Sequence, residues 1–258
     1  MTYRKPSASH VLMSVPRHRG FGASDVGLKR KTNQDAFLID DRLALYIVAD
    51  GLGGHPAGDV ASREAVDAVH GMVERGIGSI SFLHPPLVDD DARAACRLLE
   101  SAFQSAAYLV HSLARLDPAK VGMGTTLSAV LLLGGYAVMA HVGDTRIYRF
   151  REGDVAVLTV DHNEWEWTHV PTGGRRRRQR VSRDIGRAEY ADVDTGIFSI
   201  RGDDRILLCS DGLYTHLSVE DMRTALAFEG ERAIQKMIDL SKQRGGSDNM
   251  TAILVQLD

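Results

Sequence analysis

Four aspartates stand where a chain could gather them around a hard cation. Asp50 ends the apolar run Leu43 to Ala49, Asp144 and Asp211 each follow an apolar run directly or by one residue, and Asp248 precedes another. Each has a neighbour of little bulk, in turn Gly51, Gly143, Gly212 and Ser247. Carboxylates at strand ends, with bare backbone beside them, can converge on one rim of a sheet structure and let main-chain carbonyls approach a ligand. Oxygen donors of that kind suit magnesium or manganese, which take carboxylates and waters and almost no nitrogen or sulfur. Taken alone, any one of these pairs reads first as a turn, since Asp-Gly is common turn chemistry. The four together favour the metal reading. The chain carries no His-Glu-x-x-His helix and no glycine-rich phosphate loop ending in Lys-Ser or Lys-Thr.

The elements that must hold these acids are legible from periodicity. Phe21 to Val26, Ala36 to Ile39 and Leu43 to Ala49 read as strands, the last two as a hairpin that leads into Asp50-Gly51-Leu52-Gly53-Gly54-His55. Val60 to Val73 has apolar residues at helical spacing, and a longer helix spans about Asp90 to Leu116, with Pro118 just beyond it. Those apolar stripes are core faces. Thr125 to Leu133 and Tyr136 to Val142 flank Gly134-Gly135, a two-residue hairpin signal. Ile147 to Phe150 and Val155 to Val160 extend this into an expected antiparallel meander. After an irregular stretch, regular structure is expected to resume with the strand Arg205 to Cys209. Helices Val219 to Ala227 and Arg232 to Lys242 and a final strand Met250 to Leu257 complete the reading. Met1 to Arg19 reads as a frayed lead-in or a first strand.

With 258 residues, 44% hydrophobic content and no visible linker, one domain spanning 1–258 is expected. A net charge of −3 argues against a molecule built to coat nucleic acid or an acidic membrane. Two cysteines do not make a disulfide framework, and a reducing cytoplasm is the simpler compartment. The longest apolar run is broken by Gly134-Gly135 and falls short of the ~20 residues a membrane span needs. Arg4 and Lys5 are followed by no apolar segment, so no signal peptide is read. Loose membrane association through a partner stays open.

Six motifs, in order, carry a resemblance. Arg30-Lys31-Thr32-Asn33-Gln34-Asp35, Asp50-Gly51-Leu52-Gly53-Gly54-His55, Gly124-Thr125-Thr126, Gly143-Asp144-Thr145-Arg146, Ser210-Asp211-Gly212 and Ser247-Asp248-Asn249 resemble the motif series of the metal-dependent protein phosphatases, type 2C. The bacterial serine/threonine phosphatases are the nearest in style, and the match runs from about Phe21 to the C-terminus. The resemblance implies an α+β fold, a four-layer α-β-β-α sandwich of two antiparallel sheets flanked by helices. It implies a site at one end of that sandwich holding two tightly bound Mn2+ or Mg2+ ions and a third, weaker one. By position, Asp50 bridges two metals, the Gly51 carbonyl binds one of them, and Asp211 and Asp248 complete the first. Asp144 with Asp211 holds the third, Asp35 acts through metal-bound waters, and Arg30 binds the substrate phosphate.

The implied reaction is hydrolysis of phosphoserine and phosphothreonine in proteins by direct attack of a metal-bridging water. Two metal ions about 3.5–4 Å apart lower the pKa of such a water and hold it in line with phosphorus. Arginine's planar fork suits the phosphoryl oxygens, and positioning with charge neutralisation replaces an enzyme nucleophile. The cysteines agree, because a thiol phosphatase loop wants an arginine six residues on, where Ala102 and Thr215 stand. Expected partners are phosphorylated proteins, substrates of a serine/threonine kinase. The alternatives are a non-catalytic regulatory module on the same fold and a hydrolase of small phosphate esters.

Two departures matter. Leu52 stands where eukaryotic members have a histidine proposed as general acid, and Gln34 stands where they have an acidic ligand. The second implies a metal held with more water. His55 reads either as a substrate-facing residue or as a helix-start residue, and His162 reads as structural. Asn163 to Arg183, with Trp165, Trp167 and Arg175 to Arg178, matches the family's flap beside the site as a short excursion at about 163–183. An arginine run is most often a solvated loop; the functional reading is that Trp165, Arg175 and Arg176 contact acidic or phosphorylated substrates. No folded nucleic-acid-binding motif accompanies it.

Overall fold

Tyr46 and Ile47 are adjacent in one strand, and both are fully buried. Neighbouring strand residues point to opposite faces, so a packed layer must lie on each side of the sheet that holds them. The computed structural model, which describes residues 16–52, 57–80, 89–169 and 175–258, supplies both layers.

The chain begins with β1 (His18–Asp25), β2 (Asp35–Asp40) and β3 (Leu45–Asp50), followed by α1 (Gly58–Gly76) and α2 (Asp89–Leu116). Next come β4 (Leu127–Leu133), β5 (Tyr136–Val142), β6 (Arg146–Arg151), β7 (Asp154–Val157), β8 (Asn163–His169), β9 (Arg175–Val181) and β10 (Asp194–Ser199). It closes with β11 (Arg205–Cys209), α3 (Asp211–Tyr214), α4 (Val219–Ala225), α5 (Glu231–Gln243) and β12 (Met250–Leu257). One sheet has the order β10-β5-β4-β3-β2, the other β1-β12-β11-β6-β7, and β8 and β9 form a separate ribbon. All paired strands are antiparallel. This is the expected α+β sandwich.

Tyr46, Val48, Val130 and Leu132 meet Ile147, Ile206, Leu208, Ile253 and Val255 between the sheets. On the outer face of the first sheet, Leu45, Ile47, Leu127 and Leu131 pack under Ala61, Ala65 and Val69 of α1 and Leu99, Phe103 and Val110 of α2. On the second, Leu207, Cys209 and Leu254 lie under Met222 of α4 and Ile234, Met237 and Ile238 of α5. Residues 234, 237, 238 and 241 are the buried stripe of α5, one helix face. Each fully buried Leu or Ile contributes about 2 kcal/mol of transfer free energy, which fixes the rims of the sheets against one another. A capping box between Ser218 and Asp221 starts α4.

The structure corrects four expectations. The meander from Thr125 to Val160 is divided: β4 and β5 belong to one sheet, β6 and β7 to the other. The chain crosses between sheets at Gly143, whose φ is 109° and where a Cβ would lie 2.6 Å from Thr126 Cβ. Glycine alone tolerates both conditions. The excursion at 163–183 is a regular β8-β9 ribbon with Trp165 opposite Gln179 and Trp167 opposite Arg177. Regular structure resumes before Arg205, at β10, an edge strand whose residues alternate between half-buried and exposed. One turn of helix, α3, follows directly on β11, where no helix was expected. The lead-in before Pro16 lies outside the described residues.

Candidate active site

Asp35 begins β2 and Asp50 ends β3, and the register pairs them directly. Two acids are thus fixed side by side by the same hydrogen-bond ladder that builds the sheet. The Asp50 main chain is held in turn by β4's approach: its N–H donates to Thr126 Oγ1 at 3.0 Å, while its carbonyl accepts from Thr126 N at 2.9 Å and Thr125 Oγ1 at 2.8 Å. Gly51 N donates to the Gln34 carbonyl at 3.1 Å. A Cβ on Gly51 would lie 2.6 Å from that same oxygen, so the close fold-back onto α1 excludes any side chain there.

The second sheet brings the other acids. Asp211 opens α3 at the end of β11, and Asp248 lies just before β12. Ser210 staples the two sheets at this rim: its Oγ donates to Asp35 Oδ2 at 2.9 Å and accepts from Thr251 N at 2.9 Å. Asp144 sits just after the inter-sheet crossover. Its carbonyl accepts from Tyr214 Oη at 2.9 Å. Arg146 lies over the Tyr214 ring at 3.8 Å and forms a two-pronged pair with Asp161 at 2.8 and 2.7 Å.

Arg30, Asp50, Gly51, Asp144, Asp211 and Asp248 line one open cleft of about 810 Å3. Asp35 stands behind them against Ser210. Arg30 Nη2 donates to Asp248 Oδ2 at 2.6 Å, so the cation stands at the rim of the acid cluster. Asn249 sets that loop with one side chain: Nδ2 donates to the Val26 and Thr32 carbonyls at 2.9 and 3.0 Å, and Oδ1 accepts from Gln34 N at 2.9 Å.

The electrostatics are unbalanced. Burial first, then the Asp35, Asp211, Asp144 and Asp248 charges, push the Asp50 carboxyl well above the usual range. Burial and the Asp248 charge push Asp211 up to about 6, and burial and the Asp211 charge push Asp144 up to about 7. Asp35, buried beside Asp50, is pushed up to about 6. Asp35 Oδ1 and Asp211 Oδ1 are buried and have no hydrogen-bond partner. Orphaned carboxylate oxygens are costly unless a cation satisfies them. Among the described residues no three His, Cys, Asp or Glu side chains form a closed chelating group. An all-oxygen donor set with unsatisfied buried atoms fits a hard divalent ion.

Trp165 lies on the ribbon, exposed, and does not line the cleft, whereas Asn163, Gln179, Arg180 and Val181 of the same ribbon do. Arg175 and Arg176 fall on β9, and their side chains lie outside the described residues, as does all of His55. His162 is buried and accepts from Gly143 N at 3.1 Å, bracing the crossover beside Asp144. Tyr214 and Asp161 were not singled out in the sequence, and Ser210 and Asn249 stood in the ordered motifs without an assigned role. Their signal lies in partners far along the chain, such as the 217 positions between Asn249 and Thr32.

A family model for protein phosphatase 2C matches residues 28–255. Protein phosphatase PhpP of Streptococcus pneumoniae is 30% identical over 248 residues, covering 91% of this chain and 96% of that protein. Serine/threonine protein phosphatase PstP of Mycobacterium tuberculosis is 30% identical over 244 residues, covering 91% of this chain but 44% of that protein. The solved structure of M. tuberculosis PstP superposes with a TM-score of 0.76 at 28% identity, over 93% of this chain and 99% of that one. The catalytic domain of PstP, solved in complex with two manganese ions, gives 0.73 at 26% identity over 93% and 99% of the two chains. With the ordered motifs, the paired sheets and these relatives in agreement, the chain belongs to the protein phosphatase 2C family, in its bacterial serine/threonine phosphatase branch.

Proposed function

We propose that this protein-serine/threonine phosphatase removes phosphate from phosphoserine and phosphothreonine in proteins, with two Mn2+ or Mg2+ ions held at Asp50, the Gly51 carbonyl, Asp211 and Asp248. The observation that carries the reading is the cluster of raised carboxylates with orphaned oxygens beside Arg30, which is engaged with Asp248. Divalent ions bound there supply charge neutralisation and an activated water. Asp144, across from Asp211, is the ligand we assign to a third and weaker ion. Asp35 orients the site from behind, tied to Ser210 and paired with Asp50.

The chain's own residues do the rest. Arg30 offers its guanidinium fork to the phosphoryl oxygens, and Asp248 keeps that fork aimed at the cleft. Asn249 fixes the loop that carries it. Tyr214, Arg146 and Asp161 form a rigid wall behind Asp144. Thiol chemistry is disfavoured: Cys209, near Asp211, is fully buried, and burial pushes its thiol far up. The open, polar cleft suits a protein segment more than a sequestered small ester. One domain is the natural unit, since residues of β3, β4, β6, β11 and β12 share the inter-sheet core. Among the described residues no helix is long and apolar enough to cross a membrane. Two free cysteines fit a reducing cytoplasm, where a serine/threonine kinase would supply the substrates.

The test is phosphate release from a phosphothreonine peptide and from phosphoprotein, with manganese and with chelator, by wild type and Asp211→Asn. Manganese-dependent release by wild type alone supports the proposal. Release from neither substrate returns the two alternatives, and an aryl phosphate assayed alongside tells them apart.

A further inference from the structure

The register of the β8-β9 ribbon divides its residues between two faces of unlike chemistry. Residues directly opposite in an antiparallel pair point to the same side, and side chains alternate along each strand. Asn163, Trp165 and Trp167 therefore share a face with Val181, Gln179 and Arg177, while Glu164 and Glu166 share the other with Arg180. The second face carries acids and a cation together, with Glu166 Oε2 3.6 Å from Arg180 Nη1. The first carries no acid among these positions. It presents Trp165 and Trp167, 57% and 58% exposed, with the Arg177 guanidinium 4.7 Å from the centre of the Trp165 ring. At its base, Asn163, Gln179 and Val181 of this same face line the catalytic cleft, joined there by Arg180 of the other face.

We propose that this tryptophan-arginine face is the docking platform for the part of a substrate polypeptide that flanks the phosphorylated residue, and that it selects acidic flanks. This rests on the phosphatase reading and adds the substrate class to it. Charge complementarity names the occupant. Arg177 is an exposed cation on a face with no acid among the positions named, next to the cleft that takes the phosphorylated residue, so a carboxylate flanking that residue gains there. Stacking on Trp165 fixes Arg177 in place, and an arginine held on an aromatic ring keeps its in-plane donors free for a carboxylate. The tryptophans supply flat apolar area for the peptide backbone between acids.

The register also sharpens the role expected for the arginine run. Arg177 belongs to this face, whereas Arg180 is paired with Glu164 on the other. Removing Arg177 should therefore act differently from changing the net charge of the ribbon.

Two phosphothreonine peptides test this, identical except for glutamates or lysines on either side, assayed with manganese on wild type, Arg177→Gln, Trp165→Ala and Glu164→Gln. Wild type is expected to favour the acidic peptide in kcat/KM. Arg177→Gln lowers that preference about fivefold and Trp165→Ala about threefold, both through KM, as loss of a partly exposed cation and its ring support implies. Glu164→Gln leaves the preference within about twofold, because its charge is on the other face. No acidic preference in wild type overturns the proposal. So do equal and opposite shifts for Arg177→Gln and Glu164→Gln, which mean net charge alone, and so does a fall on both peptides alike in Arg177→Gln and Trp165→Ala. Failure of wild type on every phosphopeptide would instead refute the phosphatase reading itself.

Discussion

Asp211→Asn should abolish activity and yet stabilise the metal-free protein. Burial and the neighbouring Asp248 and Asp35 charges hold the Asp211 carboxyl at about 6 against an ordinary 3.8. At about 1.4 kcal/mol per pH unit, that gap is worth at most about 3 kcal/mol of destabilisation once the group is ionised. Water reaching the cleft side screens part of it, so a gain of about 1–2 kcal/mol is expected for the neutral amide. The sign follows from linkage. Below pH 3.8 the carboxyl is protonated in both folded and unfolded chains and contributes nothing. As pH rises past that value the unfolded chain releases the proton first, so wild type loses stability until about pH 6, and the loss is constant above. Urea unfolding in chelator at pH 4, 5, 6 and 7.5 reads this directly. The variant should be more stable at pH 7.5, with the difference shrinking towards pH 4. In manganese the order should reverse, because wild type regains through ion binding what it lost to repulsion. A variant as stable as wild type in chelator, or less stable at every pH, would refute the idea of an unneutralised acid cluster.

Three further outcomes follow from contacts around the site. Asn249→Ala removes three hydrogen bonds to the loop carrying Arg30; it should cost about 2–4 kcal/mol of stability, speed amide exchange across residues 27–34 and raise KM more than it lowers kcat. Ser210→Ala deletes the bond to Asp35 and should cost about 1–2 kcal/mol, with weaker manganese affinity by calorimetry. His141 is buried, with Ser128 and the Val160 carbonyl as partners, and burial pushes it down to about 4. Its contribution is complete above the unfolded value near 6.5 and is lost as pH falls towards 4, so manganese-loaded wild type should lose about 2 kcal/mol between pH 7 and 5 that His141→Gln does not.

How far the sequence could be read depends on which faces of an element are buried. β3 was plain because both its faces are covered, so Leu45 to Ala49 is apolar without interruption. β10 has one partner strand and alternates half-buried with exposed residues over Asp-Thr-Gly-Ile-Phe-Ser, leaving two large apolar residues as the whole signal. The ribbon lies outside both sheets, so no core pattern marks it, and its arginine run resembles a solvated loop. Two turns that look alike on paper differ in space: Gly134-Gly135 closes a hairpin, while Gly143 passes the chain to the opposite sheet. Sheet membership is decided by inter-sheet packing, which local pattern does not encode. The acids at strand ends were legible because each adjoins an apolar run; the polar residues that position them were not, because their hydrogen bonds span most of the chain.

Anomalous diffraction at the manganese absorption edge, on crystals grown with manganese, tests the central claim most directly. The account predicts two strong peaks within bonding distance of the carboxylates of Asp50, Asp211 and Asp248, with Asp50 shared between them, and a weaker one at Asp144. Manganese bound elsewhere, or an active enzyme whose crystals show no ion among these aspartates, would contradict it.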